Sequence, residues 1–207
     1  MKQNSVDVLT KEELGNKGIN CTQLLERLVE IDWDNFNDLT LESEGSIEQW
    51  AAVFNATSDL WRVLAKDGKI IAYWNCIVFK DEYQRRMEEG DLLESDMHVD
   101  TLKTNLHKGQ NEIYFDSICI DKPYRTVKIM ILLLKSVYET LSGLIGKGVK
   151  FNKIWASGWT EEGEKLLNRL GFIFYKDNKL RGKICYLPFD VFMKKVGSIA
   201  GKLHLAK

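Results

Sequence analysis

Residues 114–134 read Y-F-D-S-I-C-I-D-K-P-Y-R-T-V-K-I-M-I-L-L-L: a β-forming apolar run, a turn at Lys122 and Pro123, and then an apolar helix. No other stretch constrains the fold as tightly. A strand that ends in a turn and opens straight into a helix leaves the first N–H groups of that helix without intrahelical partners. They point at whatever lies beyond the strand end and form an anion pocket. Lys122, Arg125 and Lys128 surround that pocket with positive charge.

Two other stretches continue the pattern. Residues 61–79 read W-R-V-L-A-K-D-G-K-I-I-A-Y-W-N-C-I-V-F, two β-rich runs joined by Asp67-Gly68, the dipeptide of a tight hairpin. Residues 151–174 read as a strand (F-N-K-I-W-A-S-G), a helix (T-E-E-G-E-K-L-L-N-R-L) and a second strand opened by Gly171-Phe172. In this order and at this spacing, residues 61–187 resemble the GNAT N-acetyltransferase superfamily. In that family a strand is followed by Q/R-x-x-G-x-G/A at a helix start that holds the pyrophosphate of acetyl-CoA. Arg125 matches the first position, whereas Lys128 and Met130 stand where the family has glycines, so two side chains reshape the pocket. The implied fold class is α/β (α+β), a mixed, mostly antiparallel sheet flanked by helices.

The resemblance also implies a site. The pyrophosphate would lie over the backbone of Thr126, Val127, Lys128, Ile129 and Met130, assisted by Arg125. The fourth strand would splay from the fifth, freeing backbone groups at Ile118, Cys119 and Ile120 for the pantetheine arm of acetyl-CoA. The acceptor amine must lose a proton before it attacks the thioester, and a carboxylate near the fourth strand serves as base. Asp116 is the candidate, with the same facing as Tyr114 and Glu112, and Glu112 is second; equally, Asp116 could be a sheet-end residue bonded to a turn. The helix position that carries a proton-donating tyrosine in many members holds Leu167, which leaves Tyr186 or Tyr175 as candidate acid; Thr160 and Gly163 stand where the family often has Asn and Ala. The implied activity is acyl-CoA-dependent N-acetyltransfer to a small-molecule or peptide amine. The alternative is a catalytically silent copy of the fold that binds a ligand or a protein.

At 207 residues the chain suits one domain, 1–207. No apolar run in the sequence approaches the ~20 residues of a membrane span, and the N-terminus lacks the apolar stretch of a signal peptide, so no membrane partner and a cytoplasmic location are expected. The formal charge of −1 hides a division: residues 1–146 hold 16 basic against 25 acidic residues, and 147–207 hold 13 against 5. The basic residues of the second part are scattered, with no run or motif of a nucleic-acid binder, and read as solvated surface. Cys21, Cys76, Cys119 and Cys185 are far apart and read as reduced thiols, and His98, His107 and His204 make no metal-ligand spacing.

Towards the N-terminus, residues 22–31 carry apolar side chains at helical spacing behind Thr22 as cap, and a second helix follows Ser46, with Gln49 placed as in a capping box. Trp33 and Phe36 between them are expected to plug the core. An insertion at about 80–110 separates the third and fourth strands, with helices expected over 81–90 and 98–106. It is acidic through Glu82, Glu88, Glu89, Asp91, Glu94, Asp96 and Asp100. It reads either as a lid that attracts a cationic amine or as a solvated excursion. After Pro188 a C-terminal helix is expected over 189–205, packed on the sheet or pairing with a second subunit in a homodimer.

Overall fold

The computed structural model describes residues 5–36, 40, 44–179 and 181–201. Along them run β1 (Val6–Leu9), α1 (Lys11–Asn16), α2 (Cys21–Asn35), α3 (Ile47–Thr57), β2 (Trp61–Lys66), β3 (Lys69–Ile77) and α4 (Asp81–Glu89). There follow β4 (Asn111–Ile120), α5 (Val127–Gly146), β5 (Phe151–Gly158), α6 (Glu161–Leu170), β6 (Ile173–Asp177), β7 (Lys183–Pro188) and α7 (Phe189–Gly201). The seven strands form one sheet in the order β1-β2-β3-β4-β5-β7-β6. The β4/β5 pair is parallel and every other neighbouring pair is antiparallel. This is the expected mixed, mostly antiparallel sheet flanked by helices.

The local chemistry explains the joints. Asp67 and Gly68 have φ of 52° and 80°, the left-handed pair of a mirror-image tight turn, so β2 and β3 close as the hairpin read from the sequence. Thr126 caps α5, its Oγ1 accepting from the Ile129 N–H at 3.3 Å. Two elements were not anticipated from the sequence: β1, which pairs with β2, and the short α1, although Thr10 and Glu13 form a capping box at its start. Four residues are too few for an alternation to declare itself.

Alternation along β3 and β4 sorts the core into two faces. Trp74 and Phe115 point towards α5 and α7: the Trp74 indole donates to Ser136 Oγ at 2.7 Å, and Phe115 lies 6.4 Å from the Phe192 ring. Tyr73 and Asn75 point the other way, towards α2 and α3. Helix α5 is long and apolar enough to cross a membrane by length and composition, contrary to the reading of the bare sequence. Here its Ile129, Leu133, Leu134, Val137 and Leu141 are buried in the core.

Three expectations are corrected. Helix α2 is capped by Asn20, not Thr22: Asn20 Oδ1 accepts from Gln23 N at 2.9 Å while the Gln23 side chain returns to the Asn20 N–H. The helix runs on to Asn35, which leaves Trp33 half exposed on its surface instead of in the core. Residues 98–106 are not a helix. Only a single 3₁₀ turn forms, at Val99–Thr101, because Leu102 bridges to Phe79 and the Lys103 N–H donates to Val78 O, tying the segment to the end of β3. Residues 202–205, the expected end of α7, lie outside the described residues.

Part of the insertion's acidity is matched by its own neighbours. Arg86 meets Asp91 at 3.6 Å and Asp96 at 2.8 Å, and Lys103 meets Asp81 at 2.9 Å. Glu94 turns inward.

Candidate active site

The sheet opens along β4. On the β3 side, Asn75 stands opposite Ser117 and Cys76 opposite Phe115, so Asp116 is an extra residue in a β-bulge. On the β5 side, pairing stops at Phe115 and Ala156, so 116–120 have no partner on β5. A bulge re-aims side chains, and both Asp116 and Ser117 face the α2/α3 side. There they border a narrow cavity of about 50 Å³.

Leu25 and Leu28 of α2 and Ile47 and Trp50 of α3 give that cavity apolar walls, and Asp32, Glu44, Glu94 and Asp116 converge on it. Burial penalises the charged form of each of three of these carboxyls. It pushes Asp116 up to about 6, against the pull of the Asn75 amide, which donates to Asp116 Oδ2 at 2.7 Å. It pushes Asp32 up to about 7, although the Tyr73 hydroxyl lies 2.6 Å from each carboxylate oxygen. Glu94 is raised well above the ordinary carboxylate range, first by burial and then by the charges of Asp116, Glu44 and Asp32. The insertion is held in this place by Gln49, whose side chain donates to the carbonyls of Glu94 (2.9 Å) and Met97 (3.0 Å). Gln49 thus meets the Ser46 cap only through its backbone N–H, and its side chain secures the acidic wall.

Of the four residues expected to handle protons, the structure brings Asp116 to the cavity, while Tyr175 packs edge-on against Trp155 at 5.2 Å. Glu112 lies at the other end of β4, where Glu112 Oε2 accepts from the Trp155 indole at 2.6 Å and Oε1 from Asn152 at 3.2 Å, with Lys153 at 3.6 Å. Tyr186, on β7, packs against Trp155 (5.4 Å) and Tyr175 (6.2 Å), with the Lys153 ammonium 5.5 Å from its ring. None of these three borders the cavity.

At the anion end, Val127 is 77% exposed and Lys128 is exposed, while Ile129 is buried and Met130 packs on the core. The α5 N-terminus therefore opens to solvent with Lys128 beside it. Arg125 turns back from it: its guanidinium donates to Asn35 Oδ1 and, at 3.5 Å, to Ile120 O, which also accepts from the Asn35 amide at 3.2 Å. Cys119 is buried beside Asp32, with its thiol pushed up by burial. Ile118 is half-buried on the opposite face, across from Trp74.

The sequence reading missed Asp32, Tyr73 and Asn75. One signal was present: Asn75 sits among Ile70, Ile71, Ala72, Tyr73, Trp74, Cys76 and Ile77, in a strand buried on both faces, where an amide needs a reason.

The geometry matches solved structures over most of the chain. The loading GNATL domain of CurA from Lyngbya majuscula aligns with 90% of this chain and 99% of its own at a TM-score of 0.60 and 9% identity. Arabidopsis thaliana Naa50, solved in complex with the bisubstrate analogue CoA-Ac-MVNAL, aligns over 88% and 98% with a TM-score of 0.52 and 14% identity. This is the GNAT N-acetyltransferase fold. An N-acetyltransferase from Staphylococcus aureus Mu50 aligns over 90% and 99%, with a TM-score of 0.51 and 13% identity. Neither a protein-family model nor a curated protein sequence matches the chain. Two departures from the GNAT pattern have structural places here. Thr160 caps α6 by accepting from the Gly163 N–H at 3.0 Å, and Leu167 packs on the core.

Proposed function

We propose that this chain transfers an acetyl group from acetyl-CoA to an amine, with Asp116 as general base. The carrying observation is the bulge at Asp116: it lies where β4 leaves β5, and it turns a carboxyl held near 6 into a partly dry cavity. The proximity of a CoA-compatible anion site supports the reading, as does the CoA-containing analogue in the Arabidopsis structure of the same fold.

The residues present fit acetyl-CoA. The amides at the start of α5, from Thr126 through Val127 and Lys128 to Ile129 and Met130, would hold the pyrophosphate, with the exposed Lys128 ammonium beside it. The open edge of β4 from Ile118 through Cys119 to Ile120 would meet the pantetheine arm, except at Ile120 O, which Asn35 and Arg125 already occupy. When bound, the thioester supplies an activated acyl group. Asp116 takes a proton from the incoming ammonium, and the free amine nitrogen attacks the thioester carbonyl carbon. The nitrogen gives up its second proton to solvent as the C–S bond breaks, and the departing thiolate takes a proton from solvent, since Leu167 has none to give.

A second reading has its own support. With Arg125 engaged by Asn35 and side chains at both glycine positions, the fold could bind a ligand without turning it over. Calorimetric titration with acetyl-CoA, followed by thiol-release assays on a panel of amines, separates the two. Binding heat with thiol release is expected. Heat without release from any amine would leave a binding module, and no heat at millimolar acetyl-CoA would remove the transferase reading.

A further inference from the structure

We infer that the cavity beside Asp116 selects an acceptor that enters as a primary ammonium at the end of an unbranched alkyl chain. The inference rests on the acetyltransfer reading for the fate of that amine, and its binding arm stands apart from it.

The cavity is unusual in what it offers. Asn75 is 1% exposed; its amide nitrogen is used on Asp116, and its Oδ1 has no hydrogen-bond partner among the described residues. A buried carbonyl oxygen left without a donor costs free energy, which a ligand donor recovers. The carboxyls of Asp32, Glu94 and Asp116 are further acceptors once ionised. The donors that border the space are already engaged. The Tyr73 hydroxyl is on Asp32, the Ser117 hydroxyl is on Tyr73, and the Trp50 and Trp61 indoles are on Glu44 O (2.6 Å) and Thr57 Oγ1 (3.1 Å). No Lys, Arg or His is among the described residues that border it.

A wall crowded with acceptor oxygens, whose carboxyls an approaching cation draws into their charged form, calls for a ligand head that only donates. An ammonium has three donors and no acceptor, and its charge also offsets the carboxylates crowded around it. A hydroxyl or an amide would bring lone pairs against those oxygens. The stem follows from the other walls: Leu25, Leu28, Ile47 and Trp50 are apolar, and a cavity of about 50 Å³ favours a slender chain over a bulky group. A methylene chain matches both constraints.

The test uses the intact chain and three probes: 1,5-diaminopentane, its uncharged counterpart 1-pentanol, and a tripeptide with a free α-amine and a branched first residue. Calorimetry should show diaminopentane binding at least about a hundredfold more tightly than either of the others, the difference expected when a charge-assisted contact in a buried site is lost. Glu94→Gln and, separately, Asn75→Ala should each weaken diaminopentane about tenfold or more. Both should leave acetyl-CoA affinity unchanged, and a melting curve confirms that each variant folds. If pentanol or the tripeptide binds as well as the diamine, or if neither variant changes diamine affinity, the inference is overturned. If the tripeptide is acetylated and the diamine is not, the acceptor class is wrong while acetyltransfer stands. If the diamine binds with these selectivities and acetyl-CoA does not bind, acetyltransfer fails and the ammonium site stands.

Discussion

Glu112 and Asp116 sit four residues apart on one strand, and the fold makes opposite uses of them. Around Glu112 β5 runs alongside, with Glu112 opposite Lys153 just past a register shift, and its carboxylate is met by the Trp155 indole, Asn152 and Lys153. Around Asp116 the ladder has failed on both sides, by a bulge against β3 and by the departure of β5. Among the described residues its one hydrogen bond comes from Asn75, and it is pushed up to about 6 by burial. A carboxylate surrounded by donors is a structural anchor; one in a dry break with a single donor is poised to exchange a proton. The backbone makes the difference.

The widest test of that contrast is kinetic. Asp116→Asn should lower the rate of acetyl transfer by about 10² to 10⁴, the usual worth of a general base, while acetyl-CoA affinity stays put. Glu112→Gln should leave the rate within a few-fold. Thiol release under saturating acetyl-CoA measures both, and equal losses in the two variants would abolish the distinction. The wild-type rate should also rise as pH climbs through about 6, where Asp116 becomes the carboxylate that can accept a proton, and then level off.

Stability should separate the two ends with opposite signs. Glu112→Gln weakens the acceptor of a buried indole N–H, at a cost of about 1–3 kcal/mol, or a melting-temperature drop of about 2–10 °C in a domain of this size. At the other end the sign reverses. Asp32 has a folded pKa of about 7, above its ordinary value of 3.8. Between those two pH values the folded state holds a proton that the unfolded chain releases, so stability falls as pH rises across that window. Asp32→Asn keeps an acceptor for Tyr73 and has no charge to bury. It should therefore remove much of that slope and raise the melting temperature at pH 8 by about 2–6 °C, a figure discounted for the partial exposure of the group. Parallel melting curves at pH 5 and pH 8 for both variants would show it, and a Glu112 variant that is stabilised would break the comparison.

How far the sequence announced this arrangement follows from the range of its signals. The Asp67-Gly68 hairpin, the strand through 114–120, the Thr126 start of α5 and the strand–helix–strand after 151 are all set by local chemistry, by turn residues, caps and periodicity within a dozen positions. So is the placement of Asp116 on its strand. What makes Asp116 different from Glu112 is long-range: a bulge is a mismatch between two strands some forty residues apart, and neither strand carries its mark. Asp32, Asn75 and Glu94 come from a helix, a strand and the insertion, and no spacing joins them. The acidic insertion was legible as acidity, but which of its carboxylates turns inward depends on Gln49, which reaches across from α3.

The smallest expected effect lies at the far end of the same strand. Arg125 holds the position from which the GNAT pattern would direct a guanidinium at phosphate, and a free charge-assisted contact there would be worth ten- to a hundred-fold, about 1.5–3 kcal/mol. Here the guanidinium is exposed and already committed to Asn35 Oδ1 and to Ile120 O, so phosphate would have to compete with those bonds. Arg125→Ala should therefore weaken acetyl-CoA by less than about tenfold, whereas Lys128→Ala, which removes an exposed ammonium at the α5 start, should cost at least as much. Asn35→Ala supplies the third measurement. It releases Arg125, and acetyl-CoA should then bind slightly more tightly. If Asn35→Ala instead weakens acetyl-CoA as much as Arg125→Ala does, the pair works as one unit that positions the end of β4, and the arginine meets no phosphate at all.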